Sequence, residues 1–272
     1  MRAPSRLLIN TPEIELWPGG LLRARSNHDA RILSRARHVL RRKGDGRYLA
    51  ADFPEGLLPL VPQLQREPGL TAALDALASP AIRRHSKAAC IGDLPLTRLQ
   101  HHLAALGLDD SYASRTGLSL VAEPVQLALA GFDRYRRALW LHPHATPAWL
   151  QMRDAALRDH VVLEAISGYR SHDYQLWIFE RKRERGLGID EILAVNAAPG
   201  YSEHHSGRAM DIGAPDEPAA EESFEHTPAF AWLVVHAGEH GFAMSYPRGN
   251  PHGIVYEPWH WCWQPQKSLV AA

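Results

Sequence analysis

The chain has 272 residues, with 30 Lys+Arg against 30 Asp+Glu, 45% hydrophobic residues, 2 cysteines and 16 histidines. That length and composition describe a folded globular protein and exclude collagen, a coiled coil and disorder throughout. Cys90 and Cys262 are too few for a disulfide framework, and no run of eighteen apolar residues exists to span a membrane.

At the N-terminus Leu7, Leu8 and Ile9 are followed at once by Asn10, Thr11, Pro12, Glu13 and Glu15. That break is too early for a secretory signal, so the expected compartment is the cytoplasm, with periplasmic or extracellular export by a non-standard route left open. Residues 1–50 carry 11 basic against 4 acidic side chains, whereas residues 151–272 carry 10 against 17. A basic block can serve nucleic acid or an anionic surface. Here Ile32, Leu33, Ala36, Val39 and Leu40 recur at helical spacing among Arg31, Arg35, Arg41 and Arg42. That pattern predicts an amphipathic helix with a solvated basic face and argues against nucleic-acid binding. Leu70, Ala73, Leu74 and Leu77 predict a second helix. Leu96, Leu99, Leu103 and Leu106 predict a third, stopped by Gly107. Residues 1–115 are therefore expected to form a mainly helical N-terminal extension of unknown role.

From Thr116 the texture changes. Strands are expected at Gly117 to Ala122 and Ala138 to Leu141, and Thr146-Pro147 opens a helix running to about Asp159. A buried strand at Val161 to Ile166 leads through Ser167-Gly168-Tyr169-Arg170-Ser171 into a long helix ending near Gly186. A short helix at Asp190 to Val195, a strand at Arg208 to Ile212 and a helix from Thr227-Pro228 to Gly241 follow. Strands at Phe242 to Tyr246 and Gly253 to Trp261 close the chain. Helices interleaved with antiparallel-compatible strands give an α+β class, with residues 116–272 as the catalytic domain.

Chemistry concentrates in two stretches of the last third. One is Ser202-Glu203-His204-His205-Ser206-Gly207-Arg208-Ala209-Met210-Asp211; the other is Glu257-Pro258-Trp259-His260-Trp261. His204, Asp211 and His260 supply two imidazoles and a carboxylate, which suits a hydrolytic zinc site that keeps a fourth position open. Glu257, three residues before a ligand, is placed to move protons to and from the reacting groups. On a regular strand, however, residues three apart face opposite ways. The hypothesis therefore requires an irregular entry at Pro258.

The spacings S-x-H-x-x-G-x-A-x-D (Ser202 to Asp211) and E-P-W-H (Glu257 to His260) resemble the VanY-type zinc D-alanyl-D-alanine carboxypeptidases and dipeptidases. Ser167-Gly168-Tyr169-Arg170-Ser171 with Gln175, Gly241-Phe242 and Ser245-Tyr246-Pro247 match in the same order, over roughly residues 120–263. The resemblance implies an α+β fold whose small antiparallel sheet carries one Zn2+, held by His204, Asp211 and His260. It also implies Glu257 as catalytic base and Arg170 as the group that polarises the scissile carbonyl. That role suits a fixed guanidinium. Ser202, Tyr246 and Gln175 are assigned to substrate binding. The implied partner is a peptidoglycan-derived peptide losing a C-terminal D-amino acid. Trp261-Cys262-Trp263 departs from the family's usual continuation, and the N-terminal extension has no counterpart in the family core.

The same scaffold would also serve a tetrapeptide L,D-carboxypeptidase, a D-Ala-D-Ala dipeptidase or a cross-link endopeptidase. From another class, it could be a non-catalytic zinc-containing wall-peptide-binding module, against which the intact Glu257 argues. Trp259 and Trp261 are expected to pack the metal-bearing strand, and Cys262 to be a buried structural thiol. His236-Ala237-Gly238-Glu239-His240 has the form of an inverted zincin motif. Gly241 ends the helix there, and a histidine in a last turn is favoured by the helix dipole alone, so the motif is read as a decoy.

Overall fold

A computed structural model describes residues 6–79, 92–109 and 111–265. Cys90 and Pro80 lie outside the described residues. Among those described, eleven strands form two antiparallel sheets, with eight α-helices around them.

The first sheet has seven strands in the order β5-β4-β3-β2-β1-β6-β7. Its members are β1 (Leu7–Asn10), β2 (Ile14–Pro18), β3 (His38–Arg42), β4 (Tyr48–Phe53), β5 (Gly56–Pro59), β6 (Gln126–Phe132) and β7 (Ala138–Leu141). This corrects the mainly helical extension, because five strands lie before residue 60. The predicted helix over Ile32 to Leu40 splits: α1 (Asn27–Leu33) keeps Ile32 and Leu33, and the chain then turns into β3. Period-2 burial explains the outcome. Val39 packs with Ala51 and the α1 residues on one face, while Leu40 joins Leu16 and Leu49 on the other. Both faces being covered, the adjacent apolar pair Val39-Leu40 shows no alternation, so local spacing does not distinguish it from a helix.

Two other N-terminal expectations are met by α2 (Leu70–Ala78), which packs Ala73, Leu70 and Leu77 on the sheet, and α3 (Leu99–Ala105). A short α4 (Ser111–Thr116) follows. The stretch Gly117 to Ala122, expected as a strand, carries no ladder; instead Val121 N–H donates to the carbonyl of Gly200 at 2.7 Å. Because β1 pairs with β6, the seven-stranded sheet takes strands from both sides of residue 116.

The second sheet, in the order β10-β11-β9-β8, comprises β8 (Glu164–Ser167), β9 (Ala209–Gly213), β10 (Phe242–Met244) and β11 (His260–Trp263). Around it lie α5 (Ala145–Arg158), α6 (His172–Glu184), α7 (Ile189–Ala194) and α8 (Pro228–His236). Thr227 caps α8 by accepting the Phe230 N–H, with Pro228 at the first turn as predicted. The main core joins Leu139 and Leu141 of β7, Trp149 and Met152 of α5, and Met210 and Ile212 of β9. Trp261 belongs to that core and Trp259 packs against it. The residue between Met210 and Ile212 must therefore face the other way, and that residue is Asp211.

Candidate metal centre and active site

Sheet register assembles the centre. Asp211 on β9 lies opposite His260 on β11 and opposite Ser167 on β8, so three strands present one row of polar side chains. His204 enters from the 3-10 turn Glu203–Ser206, which Gly207 ends in the left-handed region at φ 66°. A Cβ on Gly207 would lie 2.6 Å from Leu127 and 2.8 Å from the His142 backbone, so the turn is pressed against the neighbouring sheet. The irregular entry required of Glu257 is a turn: the N–H of His260, the first residue of β11, donates to the Glu257 carbonyl at 3.1 Å. Both side chains consequently reach the same side, with Glu257 Oε2 3.8 Å from His260 Nδ1.

Ligand-type atoms of His204, Asp211 and His260 lie within 4.8 Å of one another, and all three residues are buried. Hydrogen bonds orient the two rings. His204 Nδ1–H donates to the Gly168 carbonyl at 2.8 Å, leaving Nε2 3.4 Å from Asp211 Oδ1. His260 Nε2–H donates to Glu203 Oε2 at 2.9 Å, leaving Nδ1 3.3 Å from the same Asp211 oxygen. Each imidazole thus has one nitrogen engaged outward and the other turned inward, the arrangement that fixes tautomers at a metal. Burial opposes charge on His260, yet its hydrogen bonds to Asp211 and Glu203 outweigh that and raise its pKa to about 10. A divalent cation would take the place of that proton. Donor types and their orientation fit zinc.

Around this triad, burial pushes the Glu257 carboxyl up to about 7; His260 and Arg170 oppose the shift, while Asp211 and Glu203 add to it. Arg170 Nη2 lies 3.8 Å from Asp211 Oδ2, and its guanidinium donates to Gln175 Oε1 at 3.1 Å and Ser167 Oγ at 3.3 Å. Gln175, expected to bind substrate, is 1% exposed and donates its own amide to the Ala197 carbonyl at 2.8 Å. Both ends of its amide are occupied, so it holds Arg170 instead of presenting a group to the cleft. Tyr246 is also buried, its ring centroid 4.8 Å from that of His260. Ser202 is buried at the start of the His204 turn, its carbonyl accepting the His205 N–H at 3.1 Å.

Sequence reasoning overlooked Glu203, the partner of His260, and Ser167, whose hydroxyl donates to Asp211 Oδ2 at 2.8 Å. Both stand inside the quoted motifs, and only register gives them a role. Cys262 is a buried free thiol whose pKa burial raises. His236 and His240 lie against Trp232, with ring centroids 4.8 and 6.3 Å away, and form no part of the centre.

The profile of VanY, D-alanyl-D-alanine carboxypeptidase, matches residues 138–266. The bifunctional D-Ala-D-Ala dipeptidase and D-Ala-D-Ala carboxypeptidase VanXYC of Enterococcus gallinarum is 32% identical over 146 residues, covering 51% of this chain and 73% of that protein. The chain belongs to the VanY family. YodJ of Bacillus subtilis (strain 168) is 35% identical over 133 residues, 47% of this chain and 48% of YodJ. This VanY-family chain therefore spans about half the length of YodJ, and its match to the D-alanyl-D-alanine carboxypeptidase of Enterococcus faecium covers 27% of that protein. The solved LdcB LD-carboxypeptidase is 31% identical with a TM-score of 0.49, covering 53% of this chain and 71% of that one. Among the described residues of this family member, no helix is long and apolar enough to cross a membrane.

Proposed function

We propose that this VanY-family protein is a zinc-dependent peptidase that hydrolyses the C-terminal peptide bond of a peptidoglycan-type peptide and releases a D-amino acid. The convergence of His204, Asp211 and His260 within 4.8 Å, with Glu257 at their edge, carries the reading. Residues 116–272 would supply the catalytic groups. When bound, a zinc ion supplies Lewis acidity, lowering the pKa of water and polarising a carbonyl oxygen. Glu257 takes the proton of the attacking water and later delivers it to the departing amine. Its raised pKa suits it to both directions of transfer near neutrality. Arg170 donates to the carbonyl oxygen as negative charge develops there, and Gln175 and Ser167 hold the guanidinium in place beforehand. The D-alanine preference is carried over from the activities named for its relatives and is part of this proposal.

Mass spectrometry of products from D-Ala-D-Ala, a tetrapeptide and a pentapeptide, with and without chelator, tests the reading. Chelator-sensitive loss of one D-alanine from the pentapeptide is expected. Glu257→Gln should keep its zinc while kcat falls by about 10²–10⁴-fold. A zinc-loaded wild type that cleaves none of the three peptides overturns the enzyme reading in favour of a wall-peptide-binding module.

A further inference from the structure

Outside the metal centre, the most completely buried ionic cluster among the described residues is built on Glu123. Lys43, 0% exposed, follows β3 of the N-terminal sheet and places Nζ 2.5 Å from Glu123 Oε2. Asn10, the last residue of β1, donates to the same oxygen at 3.2 Å. The other contacts to Glu123 come from the segment that carries Arg170. Tyr169 O–H donates to Oε2 at 2.5 Å, and His172 backbone N–H donates to Oε1 at 2.9 Å. One carboxylate therefore grips the chain on both sides of Arg170, at the residue before it and two residues after it.

The backbone of Arg170 is held from the opposite direction by the His204 turn. Its N–H donates to the His204 carbonyl at 3.2 Å, and its carbonyl accepts from His205 Nδ1–H at 2.6 Å. His205 Nε2 in turn accepts the Gly200 N–H at 3.0 Å, so both ring nitrogens are used and the ring is neutral. Burial and the neighbouring His172 drive its pKa down in the same sense. Arg170 thus lies between a turn that carries a candidate ligand and a carboxylate whose countercharge comes from the other sheet. A buried carboxylate with only neutral donors would be costly, and Lys43 is the cation that makes this one tolerable.

We infer that Glu123, neutralised by Lys43, is a positioning residue for Arg170, and that the seven-stranded sheet thereby sets the geometry of the active site. The inference rests on the proposed role of Arg170 in catalysis. A displacement of about 1 Å at such a group is enough to lower a rate by up to about 10²-fold. Because the cluster is proposed to act only through Arg170, the expected signature is on kcat and not on KM.

Tyr169→Phe tests this in the zinc-loaded 272-residue chain, because it removes one hydroxyl and leaves Glu123 its contacts to Lys43 and Asn10. Two readouts are taken. Amide hydrogen exchange over residues 168–172 should be faster than in the wild type, with zinc content unchanged. In pentapeptide hydrolysis kcat should fall by about tenfold with KM changed less than about twofold. Arg170→Lys supplies the second arm of a double-mutant cycle. If Glu123 acts through Arg170, adding Tyr169→Phe to Arg170→Lys lowers kcat no further; a merely structural loss of stability lowers it equally in both backgrounds. Equal losses in the two backgrounds, or unchanged exchange in Tyr169→Phe, overturn the inference. A wild type inactive on every peptide overturns the proposed function instead, and the exchange measurement then still decides the positioning role. Lys43→Arg, which keeps the cation, should preserve more of the wild-type exchange protection than Lys43→Met.

Discussion

The two sheets each bury carboxylates, and they neutralise them in different ways. In the seven-stranded sheet, charge is matched within the chain. Glu15 lies across from Arg41 at 2.6 Å, Glu67 takes Arg42 at 2.8 Å, Asp52 takes Arg37 at 2.8 Å, and Glu123 takes the buried Lys43. Four of the eleven basic residues in the first fifty, Arg37, Arg41, Arg42 and Lys43, are thus paired with carboxylates. In the four-stranded sheet, Asp211, Glu203 and Glu257 gather around two histidines, with Arg170 3.8 Å from Asp211. In the first cluster each buried carboxylate already has its own cation; in the second, carboxylates converge with two inward-facing imidazole nitrogens, a donor set suited to a cation from outside.

Variants that exchange these properties sharpen the contrast. Asp211→Asn should have the largest effect, because it removes the one carboxylate shared by both inward-facing ring nitrogens: zinc content measured on the purified protein should drop to background and hydrolysis with it. On the other sheet, Lys43→Met leaves Glu123 buried without its countercharge and should cost ~3–5 kcal/mol in denaturant unfolding. Replacing both partners together, Lys43→Met with Glu123→Leu, should cost clearly less; an equal cost would mean that Lys43 matters for packing and not for charge. Glu203→Gln keeps the shape of the group behind His260 but weakens its acceptor. Zinc affinity in a chelator competition should fall by about 10–100-fold while the fold is unaffected.

The smallest expected effect is on pH dependence. Glu257 must be ionised to accept a proton, and burial raises its pKa to about 7. Activity is therefore present above that pKa and lost as pH falls through it. A cation alongside favours the carboxylate, so the acid limb of kcat/KM should have its midpoint at or below about 7. An acid limb that persists in Glu257→Gln with the same midpoint would assign it to a different group.

Much of the centre was legible because its chemistry is written in short spacings. His204 and Asp211 are seven residues apart across one turn and one strand start, and Glu257 and His260 are three apart across another turn. The helices at Leu70–Ala78, His172–Glu184 and Pro228–His236 were legible too, through caps, breakers and apolar stripes that act within one or two turns. Substrate contacts were less so: Gln175 carries a motif position but spends both ends of its amide on Arg170 and Ala197.

By itself, then, the amino-acid sequence determined the candidate ligands, the candidate base, the family and the helical segments of the second half, because each rests on residue type at fixed local separation. Tertiary structure alone decided that residues 31–42 divide between a helix and a strand, since Val39 and Leu40 are buried by partners on β2 and β4. It also decided that Glu203 backs His260, and that Lys43 meets Glu123 across 80 positions. Pairings of that range arise from sheet register and from the need to neutralise buried charge, and neither leaves a periodic trace in the chain.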